Sequence, residues 1–181
     1  MTTTAIDPNI TMRELELAYP GARRALFRKY HIGGCASCGF QPEETLAGVC
    51  ARNEATPVDE AIEHILTSHE ADQKMQVSPQ ELSGLRTSDS SLRLLDVRTR
   101  EEYDAVHIEG SVLFGQNLMQ EILGSWDKES TLVFIDHRGA RSMDAAAYFV
   151  GHGFPNARSL RGGIDAWSEE VDPALPRYTL E

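Results

Sequence analysis

Cysteine is scarce in this chain, and the stretches that would indicate export or membrane insertion are missing. Only three of the 181 residues are cysteines, and all three lie between positions 35 and 50. No run of 18 apolar residues occurs, and the first ten residues do not place a basic segment before an apolar one. We therefore expect a cytoplasmic protein without a membrane partner. In a reducing compartment, three cysteines are better suited to redox chemistry or metal binding than to structural disulfides.

Positive charge is also in short supply. The formal net charge is -11, with 7 basic and 11 acidic residues over positions 1–75 and 10 basic and 17 acidic residues over positions 76–181. Nucleic-acid-binding domains normally carry an excess of positive charge, so neither half is predicted to bind nucleic acid. The length and an apolar content of 41% suit one large or two small globular domains.

A buried strand, a short turn and an amphipathic helix follow one another in residues 132–150. Residues 132–135 form an apolar run rich in β-branched and aromatic side chains, which is typical of a strand buried on both faces of a parallel sheet. From Ser142 onward, apolar residues recur at three-to-four spacing, which predicts a helix that Gly151 and Gly153 end. Only six residues, 136–141, connect the strand to the helix.

This tight connection predicts an anion-binding loop. The backbone N–H groups of a strand-to-helix turn point into one hollow, and the helix N-terminus adds about half a positive charge there. Arg138 and Arg141 contribute two guanidinium groups. We therefore expect a small anion to bind the loop, whose residues are Asp136, His137, Arg138, Gly139, Ala140, Arg141 and Ser142.

Three separate motifs resemble those of the rhodanese-like sulfurtransferases. They are LLDVRTREEYDAVHIEGS at residues 94–111, the loop at residues 136–141 and RGGIDAW at residues 161–167. The resemblance extends over about residues 76–177 and implies an α/β domain in which helices flank a mainly parallel sheet. It also implies an active loop that runs from a nucleophilic cysteine to an arginine, so Asp136, Arg138 and Arg141 are the candidate catalytic positions.

The first loop position departs from the family pattern. Asp136 stands where the resemblance places the nucleophilic cysteine. A thiolate attacks sulfane sulfur and carries it as a persulfide, whereas a carboxylate oxygen forms no stable equivalent. The sequence therefore predicts an intact loop without ordinary rhodanese chemistry. The Asp136 carboxylate is expected either to fold into the anion cradle or to cap the following helix from outside.

The first 72 residues are predicted to form a small all-α domain, with the rhodanese-like domain at 73–181. A capping box at Thr11 and Glu14 predicts one helix, and residues 22–30 predict a second. Pro42 is expected to start a third helix, and Thr56 with Pro57 to start a fourth. The polar residues 70–76 are interpreted as a linker.

The three cysteines define the candidate chemistry of this helical domain. Cys35 and Cys38 form a Cys-x-x-Cys pair, which suits a redox or sulfur-accepting dithiol. Together with Cys50 and His31, the pair also offers three or four ligands for zinc or an iron–sulfur cluster. A third alternative is that these thiols simply pack within the fold.

Residues 11–66 are similar in layout to the N-terminal domain of iron–sulfur cluster repair proteins. The similarity rests on the helical segments, the Cys-x-x-Cys pair and the following Thr45 and Leu46. The repair proteins have adjacent cysteines followed by glycines, whereas Ala36 and Ser37 separate the pair here. A repair activity is therefore not carried over.

Three functional hypotheses follow. The first is a sulfur-trafficking protein in which a degenerate rhodanese domain binds an anion or a sulfur-carrier or redox protein, while Cys35 and Cys38 handle sulfur or electrons. The second is a metal- or cluster-sensing module that uses the rhodanese domain for docking. The third is a working sulfurtransferase whose nucleophile comes from the N-terminal domain.

Overall fold

The computed structural model describes residues 6–34, 39–53 and 56–179. The chain divides into two compact units, Met1–Lys74 and Met75–Glu181. Within the described residues, no helix combines the length and the apolar character needed to cross a membrane.

Four helices make up the described secondary structure of the first unit. They are α1 (Met12–Ala18), α2 (Ala22–Tyr30), α3 (Leu46–Arg52) and α4 (Val58–Lys74). The apolar faces of all four contribute to one core, which includes the fully buried side chains of Met12, Leu15, Leu26, Leu46 and Ile65. Burial of these side chains is the main driving force that holds the helices together.

Two helix starts in the first unit match the sequence prediction, and one does not. The predicted capping box is confirmed, because the Thr11 side chain accepts from the Glu14 amide while the Glu14 carboxylate accepts from the Thr11 amide. The bounds of α2 are also those predicted. The expectation that Pro42 begins α3 is wrong, because Thr45 is the N-cap and accepts from the Gly48 amide.

The predicted linker over residues 70–76 is also wrong. Helix α4 continues through most of it to Lys74. Its last turns are held by a polar contact, since the buried Asp72 forms an ion pair with Arg24 of α2 at 2.5 Å. An apolar-periodicity argument does not detect a helix that packs through a charged pair.

The second unit is an α/β layer structure with a five-stranded parallel sheet. Its strands are β1 (Gln76–Val77), β2 (Arg93–Asp96), β3 (Ser111–Leu113), β4 (Leu132–Ile135) and β5 (Ala157–Leu160), in the spatial order β1-β5-β4-β2-β3. The helices between and after them are α5 (Pro79–Ser88), α6 (Arg100–Ala105), α7 (Gln116–Ser125), α8 (Ala140–Gly151) and α9 (Gly163–Glu170). All strand pairs are parallel, which confirms the predicted α/β class.

The residues of the central strand β4 are buried on both faces of the sheet. Val133 and Ile135 belong to the core cluster on one face, and Leu132 and Phe134 belong to the cluster on the other face. The continuous apolar run in the sequence follows from this double burial. Ligand sites in such sheets lie beyond the carboxyl ends of the strands, and the residue that follows β4 is Asp136.

Candidate functional site

The Asp136 carboxylate occupies the loop's own anion cradle. It accepts hydrogen bonds from the Gly139 amide at 2.5 Å, the Arg141 amide at 2.7 Å and the Ser142 hydroxyl at 3.0 Å. The residue is only 3% exposed. Of the two arrangements expected for Asp136, the structure therefore shows the inward one, in which a side chain of the protein takes the place of a bound anion.

A second buried hydroxyl, that of Ser159, contacts Ser142 and supports this arrangement. The Ser142 and Ser159 hydroxyl oxygens lie 2.8 Å apart, and both residues are fully buried. Because Ser142 donates its proton to Asp136, Ser159 must donate to Ser142. The sequence placed the start of α8 at Ser142, but the helix begins at Ala140, which puts Ser142 in its first turn and lets the hydroxyl reach back to the carboxylate.

The shape of the loop depends on close backbone contacts with α9. The Asp136 carbonyl accepts from the Ile164 amide at 2.9 Å. Gly163 has a positive φ of 62°, and a Cβ at that position would overlap the backbone of Asp136 and His137. Only glycine fits there, which gives a physical reason for the Arg-Gly-Gly motif before Trp167.

His137 is buried and is held by Tyr178. The residue is 5% exposed, and its Nε2 atom donates to the Tyr178 carbonyl at 2.9 Å. The two rings stack with their centroids 4.4 Å apart. Tyr178 was not singled out in the sequence, because nothing local links it to a loop 41 positions earlier.

Tyr178 also connects the loop to a buried ion pair beside it. Arg98 binds Asp96 through two short hydrogen bonds, at 2.6 and 2.9 Å, and both side chains are fully buried. The Tyr178 hydroxyl accepts from Arg98 and donates to Glu102, both at 2.8 Å. Arg98 and Glu102 are four positions apart in the sequence but do not pair directly, because the Tyr178 hydroxyl stands between them.

The contacts of Glu102 favour its charged form. Burial pushes the pKa of this carboxyl upward, yet hydrogen bonds from the Thr99 amide and the Tyr178 hydroxyl outweigh burial and lower the pKa. Burial also raises the pKa of the Tyr178 phenol, so the hydroxyl keeps its proton and donates it to Glu102.

The mouth of the loop is a shallow cavity with exposed guanidinium groups. Arg138 is exposed, and the Arg141 side chain is 52% exposed and lies 3.9 Å from Glu102. The cavity has a volume of about 230 Å³ and is lined by Asp136, His137, Arg138, Ala140 and Arg141. The buried carboxylate forms its floor, and the cations lie at its rim.

The other candidate residues lie in the first unit. Cys35 and Cys38 fall outside the described residues. Cys50 is 1% exposed in the apolar core, and burial raises the pKa of its thiol. His31 is exposed at the C-cap of α2, with its ring edge-on to Phe27 at 6.0 Å. Among the described residues, no group of three or more histidine, cysteine or acidic side chains is placed to hold a metal ion.

Comparison with known families identifies the second unit. The rhodanese-like domain family matches residues 78–170, just over half of the chain. The chain therefore belongs to the rhodanese-like domain family.

Similar proteins include both long and short sulfurtransferases. The adenylyltransferase and sulfurtransferase UBA4 of Candida albicans is 24% identical over 180 residues, which cover 89% of this chain and 38% of that protein. The probable adenylyltransferase/sulfurtransferase MoeZ of Mycobacterium tuberculosis is 36% identical over 104 residues, 56% of this chain and 26% of that protein. The chain thus spans less than half the length of these two relatives.

Shorter similar proteins are matched over nearly their whole length. The thiosulfate sulfurtransferase GlpE of Pseudomonas paraeruginosa is 30% identical over 104 residues, 58% of this chain and 92% of that protein. Among solved structures, the human single-domain sulfurtransferase TSTD1 is 28% identical, with a TM-score of 0.47 over 53% of this chain and 96% of that one.

Proposed function

We propose that this protein takes part in sulfur trafficking with a rhodanese-like domain that carries no sulfur itself. The observation that supports the proposal most is the Asp136 carboxylate, which accepts three hydrogen bonds inside the loop. In the rhodanese pattern this position belongs to the nucleophilic cysteine. The loop donors that would stabilise a substrate anion are thus already engaged by a side chain.

The chemistry of position 136 argues against turnover at the loop. Sulfur transfer needs a thiolate that attacks sulfane sulfur and holds it as a persulfide, and an oxygen nucleophile forms no stable counterpart. The second unit contains no cysteine that could replace it, since all three lie at or before position 50. We therefore propose that the domain recognises a partner rather than converts a substrate.

Thiol chemistry is assigned to Cys35 and Cys38 of the first unit. Cys50 is poorly suited to it, because its thiol is buried in the core with a raised pKa. UBA4, MoeZ and GlpE, to which this chain is similar, are named as sulfurtransferases. On this basis we propose that the cysteine pair accepts sulfur or electrons from a sulfur-carrier or redox protein.

The proposal is tested with the full-length protein in a thiosulfate:cyanide sulfurtransferase assay. We expect negligible turnover, and turnover like that of an ordinary rhodanese in a variant with Cys35, Cys38 and Cys50 replaced by Ser would contradict the proposal. A second measurement loads the protein with a low-molecular-weight persulfide and maps the added sulfur by mass spectrometry. Sulfur is expected on Cys35 or Cys38, with Cys50→Ser as the matched control that leaves loading unchanged.

Metal analysis separates this proposal from the metal-sensing hypothesis. Protein purified without oxygen is examined by elemental analysis and by its visible absorption spectrum. Zinc or iron at one equivalent per chain that Cys35→Ser and Cys38→Ser abolish would favour a metal site over a sulfur-accepting pair. Metal-free protein that takes up sulfur supports the proposal.

A further inference from the structure

The guanidinium groups at the loop mouth are not needed to balance Asp136. That carboxylate is bound by two backbone amides and a hydroxyl, so its partners are neutral dipoles. Among the described residues, no acidic group lies within ion-pair distance of Arg138, although its charge helps to lower the pKa of Asp165, and Glu102 lies 3.9 Å from Arg141. The mouth is therefore a local cationic patch on a domain with 10 basic and 17 acidic residues.

An apolar groove adjoins this patch. The groove has a volume of about 390 Å³ and is lined by Glu101, Glu102, Ala105, Val106, Pro176 and Tyr178. Two contacts join it to the mouth. The Tyr178 ring stacks on His137 at 4.4 Å, and Glu102 lies 3.9 Å from Arg141. The mouth and the groove are thus lined by residues in direct contact with one another, and we name the two together the loop cleft.

We propose that the loop cleft binds a peptide segment of a partner protein that carries an acidic side chain next to an aliphatic or aromatic one. This inference rests on the proposed docking function of the rhodanese-like domain. The acidic side chain is matched by Arg138 and Arg141, and the apolar side chain by the groove.

The charges of the loop cleft determine which peptide side chain binds at the mouth and which binds in the groove. Glu102 uses its carboxylate on the Thr99 amide and the Tyr178 hydroxyl, but Glu101 is exposed on the groove side. An acidic side chain in the groove would meet Glu101, whereas one at the mouth meets Arg138 and Arg141. The acidic residue therefore belongs at the mouth and the neutral apolar residue in the groove.

A free small anion is a poorer occupant than such a peptide. Asp136 has taken the amides of Gly139 and Arg141, so an added anion finds mainly solvent-exposed guanidinium groups. Exposed ion pairs contribute little affinity because water and salt screen them. A peptide also removes the apolar surface of the groove from water, which supplies the affinity that the ion pairs lack.

The test selects peptides from a random phage-displayed library against the full-length protein. Enriched peptides are expected to share an Asp or Glu next to an apolar residue. Their affinities are then measured by fluorescence anisotropy against an Arg138→Glu/Arg141→Glu double variant and against Ala105→Glu, which fills the groove. Each variant is expected to weaken binding by about tenfold or more.

Arg100→Glu is the matched control, because Arg100 is exposed on α6 and lines neither cavity. The affinity of this variant for the selected peptides is expected to stay within about twofold of that of the wild-type protein. The proposal is overturned if no acidic-apolar motif is enriched, if the mouth and groove variants bind like the control, or if millimolar phosphate alone displaces the peptide fully. None of these outcomes bears on thiosulfate turnover, so the docking inference and the proposed function fail separately.

Discussion

Two aspartates lie at the ends of adjacent strands, and their buried carboxylates are stabilised by different kinds of partner. Asp96 ends β2, and Asp136 directly follows β4, whose last residue Ile135 is paired with Asp96 in the sheet. Asp96 is paired with a buried guanidinium, whereas Asp136 is bound by two amides and a hydroxyl. The first arrangement fixes a charge pair for structure, and the second fills a preformed anion site.

The largest effect on the free energy of unfolding is expected when the Asp96–Arg98 ion pair is broken. Asp96→Asn leaves the fully buried Arg98 without its counter-ion, and an uncompensated buried charge costs about 3–5 kcal/mol. We expect a loss of that size in the free energy of unfolding measured with urea. Asp104→Asn, at an exposed position on α6, is the control and should change stability by less than about 0.5 kcal/mol. Equal effects of the two substitutions would contradict the assignment.

Removing the second carboxylate should cost less and should open the cradle. Asp136→Ala leaves neutral donors without a partner, at a cost of about 1–3 kcal/mol. We expect sulfate to recover part of this loss in a thermal unfolding experiment, because the freed amides can bind it. Wild-type protein should show a smaller sulfate effect. Identical sulfate responses in both proteins would show that the cradle is not preformed.

A cysteine at the same position tests whether the loop still activates a thiol. In a protein with Cys35, Cys38 and Cys50 replaced by Ser, Asp136→Cys should lower the pKa of the new thiol from about 8.5 to within about 3.5–7.5. One unit corresponds to about 1.4 kcal/mol. Intact mass after incubation with thiosulfate should show the gain of one sulfur. The triple-Ser protein that retains Asp136 is the control, and a thiol that stays unmodified and titrates normally would refute the prediction.

The smallest effect on stability is expected for the hydroxyl of Tyr178, the residue that contacts both His137 of the loop and Arg98 of the buried ion pair. Tyr178→Phe removes the hydroxyl between Arg98 and Glu102 and should cost about 0.5–1.5 kcal/mol at neutral pH. The lowered pKa of Glu102 means that its contribution is present above the ordinary value of 4.5 and is lost as the pH falls through the lowered value. The cost of Tyr178→Phe should therefore shrink in acid.

Tyr148→Phe serves as the matched substitution, because Tyr148 is 43% exposed and no hydrogen bond of its hydroxyl is found among the described residues. It should leave the urea midpoint almost unchanged at both neutral and acidic pH. A cost of Tyr178→Phe that is the same at both pH values would argue against the charged Glu102 as the acceptor.

The sequence reveals those parts of the site whose residues are near one another in the chain. The strand, turn and helix around Asp136 follow from a local change of periodicity, and the loop donors follow from the geometry of the turn. Ser159 and Tyr178 contact the loop from 17 and 41 positions away, and no local pattern encodes those contacts. The four-residue spacing of Arg98 and Glu102 does not make them neighbours on one helix face, because α6 begins only at Arg100.

The contacts of Tyr178 also give a role to the segment that follows the last helix. The family match ends at residue 170, and the last helix, α9, ends there too. A chain shortened to that residue would keep every strand and helix of the sheet. It would nevertheless leave His137 without its stacked ring and carbonyl acceptor, and Arg98 without the phenol oxygen. The segment that follows α9 thus supplies contacts to the loop and to the buried ion pair that no helix or strand supplies.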